Sequence, residues 1–216
     1  MKRIAIVAGA TGLTGGELLE ILLREPDYDE VLVLVRKAFS LSHPKLTQLV
    51  VDFDRLEDYV LPETAKALFC CLGSTITKTP NLETYRKIDH DYPLKLAGLA
   101  AAKGIRQFHF ISSIGADPKS SSFYLKTKGE TEGDLKAAGI ETLYVYRPAL
   151  LVGNRREHRL GEGFMKGLMK LINPLLIGRL KRYRSIKAAT VANFMFNCSK
   201  LHQKGFFLYN SEEILA

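Results

Sequence analysis

The chain has 216 residues, 46% of them hydrophobic, enough for one sizeable core, and a single domain over 1–216 is expected. No apolar run approaches the roughly 18 residues of a membrane span, no signal-type cleavage site follows Met1-Lys2-Arg3, and three cysteines without metal-ligand spacing exclude a disulfide framework or zinc module. A cytoplasmic protein of a reducing compartment is therefore expected, and its net charge of +8 is concentrated in 153–187, where ten Lys or Arg face only Glu157 and Glu162.

An apolar run over 4–8 predicts a buried parallel strand, because such strands are covered on both faces. It leads into Gly9, Gly12 and Gly15, then into an amphipathic helix carrying Leu18, Leu19, Leu22 and Leu23. Strand, glycine turn and helix read as the first half of a dinucleotide-binding unit, spaced GxxGxxG rather than GxGxxG. The first glycine allows the tight turn, the second admits a pyrophosphate to the backbone, and the third lets helix and strand pack closely. The candidate binding residues are Gly9, Thr11, Gly12, Leu13, Thr14 and Gly15, with the pyrophosphate on unpaired N–H groups of the helix start.

A second apolar strand over 31–35 ends in Arg36-Lys37, where NAD-specific sites place an acid on the ribose hydroxyls. Two cations suit a 2′-phosphate instead, so NADP (NADPH) is expected over NAD; the plainer reading is a solvated strand end. A third strand over 46–51 brings Asp52 toward the adenine. A fourth, over 67–72, closes in Gly73-Ser74-Thr75, where Gly73 would let a ribose lie on the backbone and Thr75 could donate a hydrogen bond. Residues 81–103 predict a helix with a kink at Asp89-His90-Asp91-Tyr92-Pro93 and a C-cap at Gly104.

The fifth strand, 107–111, ends in Ser112-Ser113; a helix over 123–138 and a sixth strand over 142–146 follow, the latter ending at Arg147-Pro148. This alternation predicts an α/β fold: a doubly wound, mostly parallel Rossmann sheet with helices on both faces. Past Gly153 the rhythm stops, leaving a small C-terminal extension on the substrate side. It has helices over 163–172 and 188–200 and a short strand over 205–209.

Tyr124 and Lys128 lie four residues apart, on one face of the helix after the fifth strand. The ammonium can lower the phenol pKa, making Tyr124 a proton donor and acceptor near neutral pH. A serine at the preceding strand end would hold the substrate oxygen whose charge changes during hydride transfer. YxxxK alone is common by chance, but a glycine loop and a Ser-Ser strand end in the same chain make it a strong composite. The blander alternative packs Tyr124 against the helix start and leaves Lys128 in solvent. His109 reads as a core histidine, His158 as a surface residue, Phe164 and Met165 as packing residues or pocket wall, and Cys70 and Cys71 as small hydrophobes.

With these stretches the chain resembles the short-chain dehydrogenase/reductase superfamily. It is most similar to the atypical branch that includes the Tat-interacting protein of thirty kilodaltons and small bacterial oxidoreductase-like relatives. The matching segments run in order from the 9–15 loop through 33–36, 70–75, 89–92, 112–117 and 124–130 to Arg147-Pro148, so the resemblance spans nearly the whole chain. It implies NADP(H) at the loop and Arg36, with Ser113, Tyr124 and Lys128 catalytic. It further implies that Lys128 touches the nicotinamide ribose and that Pro148 lies beside the nicotinamide. Two departures stand out: Asp89 replaces an asparagine of extended members, and the C-terminal part is short.

Three function classes remain open. The first is an NADP(H)-dependent oxidoreductase acting on a carbonyl or alcohol of a small molecule not identified by the motifs. The second is an NADPH-binding regulatory or redox-sensing protein with little or no catalysis. The third, a nucleic-acid binder, rests on charge alone, without a nucleic-acid motif. The basic segment is either a solvated face or the rim of a cleft that attracts an anionic substrate. A monomer and a homodimer are equally compatible with the sequence.

Overall fold

The computed structural model describes residues 2–153 and 183–216. Strands β1 (Ile4–Ala8), β2 (Glu30–Val35), β3 (Leu46–Val50), β4 (Ala65–Cys70), β5 (Gln107–Ile111) and β6 (Thr142–Arg147) are separated by helical segments except between β2 and β3. Two short strands, β7 (Leu151–Val152) and β8 (Ile186–Lys187), pair in parallel as a small second sheet, and β9 (Gly205–Asn210) comes last. The main sheet has seven strands in the order β3-β2-β1-β4-β5-β6-β9, with parallel pairing throughout. It is the doubly wound Rossmann sheet that the strand–helix rhythm predicts.

The helices are α1 (Leu13–Arg24), α2 (Leu82–Arg86), α3 (Tyr92–Ala102), α4 (Phe123–Ala137), α5 (Ala188–Ser199) and the one-turn α6 (Ser211–Ile214). A π-helical turn, Lys87–Asp91, joins α2 to α3 and takes the place of the expected kink. The Asn81 side chain caps the start of α2 by accepting from the Thr84 N–H, and Gly104 follows α3 with φ +67°. The fourth strand begins and ends two residues earlier than expected. Cys71 still donates its N–H to the Ala8 carbonyl, but its own carbonyl has turned against Gly9.

Side chains alternate between two cores, one on each face of the sheet. One face packs Ala5, Val7, Val33 and Phe69 under Leu18, Leu22, Val191 and Met195 of α1 and α5. The other packs Ile6, Leu34, Leu68 and Phe110 under Leu96 and Ala100 of α3 and Leu135 of α4. Leu18, Leu22 and Leu96 are fully buried, each contributing about 1.5–3 kcal/mol of burial free energy. The late strand expected over 205–209 is the seventh member of this sheet, held by β6 in the register Tyr144↔Phe207 and Tyr146↔Tyr209. Among the described residues no helix is long and apolar enough to cross a membrane.

A ladder of flat side chains crosses four adjacent strands: Phe69, His109, Tyr144 and Phe207 are register partners, with ring centroids 4.4, 4.7 and 5.2 Å apart. His109 thus lies in the core, with Nδ1 2.9 Å from the Tyr146 hydroxyl and Nε2 3.3 Å from Gln107 Oε1. Burial pushes its imidazole down from 6.5 to about 3. Between those values the unfolded chain binds a proton that the folded chain does not. Stability therefore falls as pH drops through this window, by about 1.4 kcal/mol per unit from this residue. His109→Phe should flatten that part of the slope in urea unfolding near pH 7 and near pH 5. An unchanged slope would show that the histidine is not held neutral.

Candidate functional site

The turn between β1 and α1 leaves no room for side chains. Gly9 has φ +86°, and a Cβ there would sit 2.5 Å from the Cys71 carbonyl oxygen. At Gly15 a Cβ would lie 2.2 Å from the Gly9 carbonyl oxygen, so the first turn of α1 rests directly on the strand exit. Thr11 and Gly12 face solvent at this turn. No side chain caps the N-terminus of α1 and no acid stands in its first turn, so the N–H groups and the positive end of the helix dipole suit an anion. Leu13 packs under Gly153, and Thr14 is buried with an Oγ1 that has no hydrogen-bond partner among the described residues. These residues fit the pyrophosphate of a dinucleotide.

Arg36 and Lys37 leave β2 on the same edge of the sheet, both exposed. Burial and Asp54 push the Tyr92 phenol up to about 12, while the charge of Arg36 acts in the opposite sense. Asp52 already has a local role. Its Oδ1 accepts from the Asp54 N–H at 3.0 Å, capping a short 3₁₀ turn, and its own N–H donates to the Tyr59 hydroxyl at 3.1 Å.

Beyond β4, Gly73 is exposed and lies over two buried charges. A Cβ at Gly73 would be 3.5 Å from Asp89 Oδ1 and 3.8 Å from Lys128 Nζ. Asp89 comes from the π turn and has no exposed surface. Its Oδ2 accepts from the Ser74 N–H at 2.8 Å, and its Oδ1 lies 2.9 Å from Lys128 Nζ. Lys128 also donates to the Ile111 carbonyl at 3.1 Å and lies 4.8 Å from the centroid of the Phe110 ring. Burial alone would push this ammonium down, but Asp89, with Tyr124 in the same sense, outweighs it and holds the lysine charged. The expected Tyr124–Lys128 neighbourhood is present, yet the cation is also paired with a carboxylate.

Tyr85 ties this region together, donating from its hydroxyl to the Ser74 carbonyl at 3.3 Å while its ring meets Phe123 edge-on. Thr75 is half-buried, and its carbonyl accepts from the N–H groups of Lys78 and Thr79. Ser112 and Ser113 part ways at the end of β5. Ser112 is buried and donates to Glu132, which also grips Arg147 of β6 through both carboxylate oxygens. Ser113 is half-buried and donates 3.3 Å to the Ile114 carbonyl; among the described residues no hydrogen bond joins it to Tyr124. Pro148 is buried, its carbonyl accepting from the Ile114 N–H at 3.0 Å.

Two participants escape a motif search: Asp89, whose departure from the usual asparagine is visible but whose partner is not, and Glu132. Both follow a buried helical stripe, Asp89 four residues after Tyr85 and Glu132 four after Lys128, and a carboxylate on such a stripe signals an internal cation. The basic stretch from Arg155 to Arg182, with His158, Phe164, Met165 and the helix expected over 163–172, lies outside the described residues. Among the described residues no cluster of His, Cys, Asp or Glu is placed to hold a metal.

A family model described as NAD(P)H-binding matches residues 9–200. The chain is 36% identical to protein HTATIP2 of Rattus norvegicus over 165 residues, covering 74% of this chain and 68% of that protein. It is 35% identical to "Protein FMP52, mitochondrial" of Candida glabrata over 164 residues, covering 75% and 70%. In fold it is similar to the UDP-glucose 4-epimerase of Thermotoga maritima, with TM-score 0.71, 15% identity and coverage of 96% and 76%. It is also similar to the NAD+ complex of WbmH from Bordetella bronchiseptica, with TM-score 0.69, 16% identity and coverage of 98% and 76%. The expectation of a cytoplasmic protein is overturned, because several fungal relatives are named as mitochondrial proteins. Free cysteines are compatible with any reducing compartment and do not single out the cytoplasm. The glycine turn, the parallel sheet and these matches agree: the chain belongs to the NAD(P)H-binding Rossmann family, in the atypical short-chain-dehydrogenase-like clade of HTATIP2 and FMP52.

Proposed function

We propose that this protein binds NADP(H) along the carboxyl edge of the sheet and that the bound nucleotide acts mainly as a regulatory ligand, with little turnover. The observation that carries this reading is a contrast between the two halves of the edge. The adenine half keeps an uncapped helix start and two exposed cations, Arg36 and Lys37. In the other half the lysine beside Tyr124 is paired with Asp89, so its charge is shared with a buried carboxylate. A thiol-based redox sensor is not favoured. Burial raises Cys70 to about 12 and raises Cys71 as well, opposite to what a reactive thiolate needs.

A second reading, hydride transfer at a carbonyl or alcohol, is favoured by the proximity of Tyr124 and Lys128 on α4 below the end of β5. In that reading Tyr124 moves the proton on the substrate oxygen, Ser113 holds that oxygen, and Lys128 and Pro148 lie toward the nicotinamide side. The nicotinamide, when bound, supplies or accepts the hydride. The UDP-sugar chemistry named for the structural neighbours is not carried over, since that likeness extends to the fold alone.

Calorimetric titration should find NADPH binding more tightly than NADH, through the donor fork of Arg36 on the 2′-phosphate. Arg36→Ala should remove about tenfold or more of the NADPH affinity and leave NADH nearly unchanged; equal affinities in the wild type would remove the NADP preference. Tyr124→Phe separates the two readings. If hydride transfer is the function, turnover of a carbonyl substrate falls about 10²-fold or more with nucleotide affinity intact. If binding is the function, a broad carbonyl and alcohol screen finds no turnover, and the variant keeps the biological activity of the wild type.

A further inference from the structure

We propose that Asp89 is the positioning residue for the nicotinamide-ribose half of the nucleotide, an inference that rests on the NADP(H) reading above. Strand order sets the geography. The β2 end, with Arg36, and the β4 end, with Gly73, lie on opposite sides of the glycine turn after β1. A dinucleotide with its 2′-phosphate at Arg36 and its pyrophosphate on α1 therefore brings its second ribose over Gly73.

Two polar groups frame that position, and one carboxylate holds both. Asp89 Oδ2 accepts from the Ser74 N–H at 2.8 Å, which fixes the backbone beside Gly73. Asp89 Oδ1, 2.9 Å from Lys128 Nζ, holds the ammonium beneath the space that a Gly73 side chain would fill. The carboxylate has no exposed surface, so it reaches no ligand itself and acts through its two partners. It is anchored in turn: the Thr131 hydroxyl shares its proton between the Thr127 carbonyl at 2.7 Å and the Asp89 carbonyl at 3.0 Å, and the π turn brings that carbonyl to α4. Polar neighbours hold the same seam, with Arg86 paired to Glu130 and His90 Nε2 2.9 Å from Asp134.

The test compares NADPH with adenosine 2′,5′-bisphosphate, which keeps the adenine half and its 2′-phosphate but lacks the nicotinamide ribose. In calorimetric titrations of the full chain, Asp89→Ala should weaken NADPH about tenfold and leave the bisphosphate within about twofold of wild type. Asp89→Asn, which keeps an acceptor for the Ser74 N–H, should lose less. Because removing one partner of a buried pair can unfold a protein, the doubly neutral Asp89→Leu/Lys128→Met variant is titrated alongside and should show the same selective loss. Parallel weakening of both ligands, or no weakening of either, would overturn the assignment of Asp89. A wild type that binds the bisphosphate as tightly as NADPH would overturn it while leaving the adenine-side reading intact. A wild type that binds neither would remove the NADP(H) reading, and this inference with it.

Discussion

Parallel pairing of all seven strands is the constraint on which the rest of the molecule depends. It requires each strand to be reached by a crossover, which places helices on both faces and buries the inner strands β1, β2 and β5 almost throughout, whereas the edge strand β3 keeps Thr47 and Gln48. It also gathers every strand exit on one edge. The glycine turn, Arg36, Gly73, Ser113 and Pro148 follow five different strands and for that reason share one edge of the sheet. Close packing of α1 on β1 then aims a helix start at the middle of the edge.

Within this frame α4 is the element under most electrostatic demand. Its buried face carries Lys128 and Glu132, one turn apart, and neither finds water. Lys128 is answered by Asp89 from the π turn, and Glu132 by Arg147 and Ser112 from the ends of β6 and β5. Such pairs add little net stability, because desolvation offsets their attraction, but losing one partner is expensive. Their effect is to fix geometry: α4 cannot slide against the sheet or the π turn without stranding a charge. The same pairing means that the charge of Lys128 is shared with a buried carboxylate rather than offered to Tyr124 alone.

On the proposed reading, a preference for NADP would rest on the end of β2. Solved relatives with bound NAD share the fold at 16% identity or less, a likeness that says nothing about a single strand end. Arg36 and Lys37 are local features of this chain, and their exposure at the adenine side follows from where β2 stops.

Much of the fold was legible in the sequence because its determinants are local. Apolar runs marked β1 and β2, the glycine spacing marked the turn into α1, and Gly104 marked a helix end. The candidate residues were legible by type and by place along the chain for the same reason. What the sequence could not determine was anything that rests on two distant segments meeting. The membership of β9 in the main sheet, the β7–β8 pair, the division of labour between Ser112 and Ser113, and the pairing of Lys128 with Asp89 all depend on contacts between segments far apart in the chain. A YxxxK spacing states that a tyrosine and a lysine share a helical face; only the packed structure decides whether that lysine's charge reaches the phenol alone or is shared with a buried carboxylate, because the answer lies in the helix packed against it.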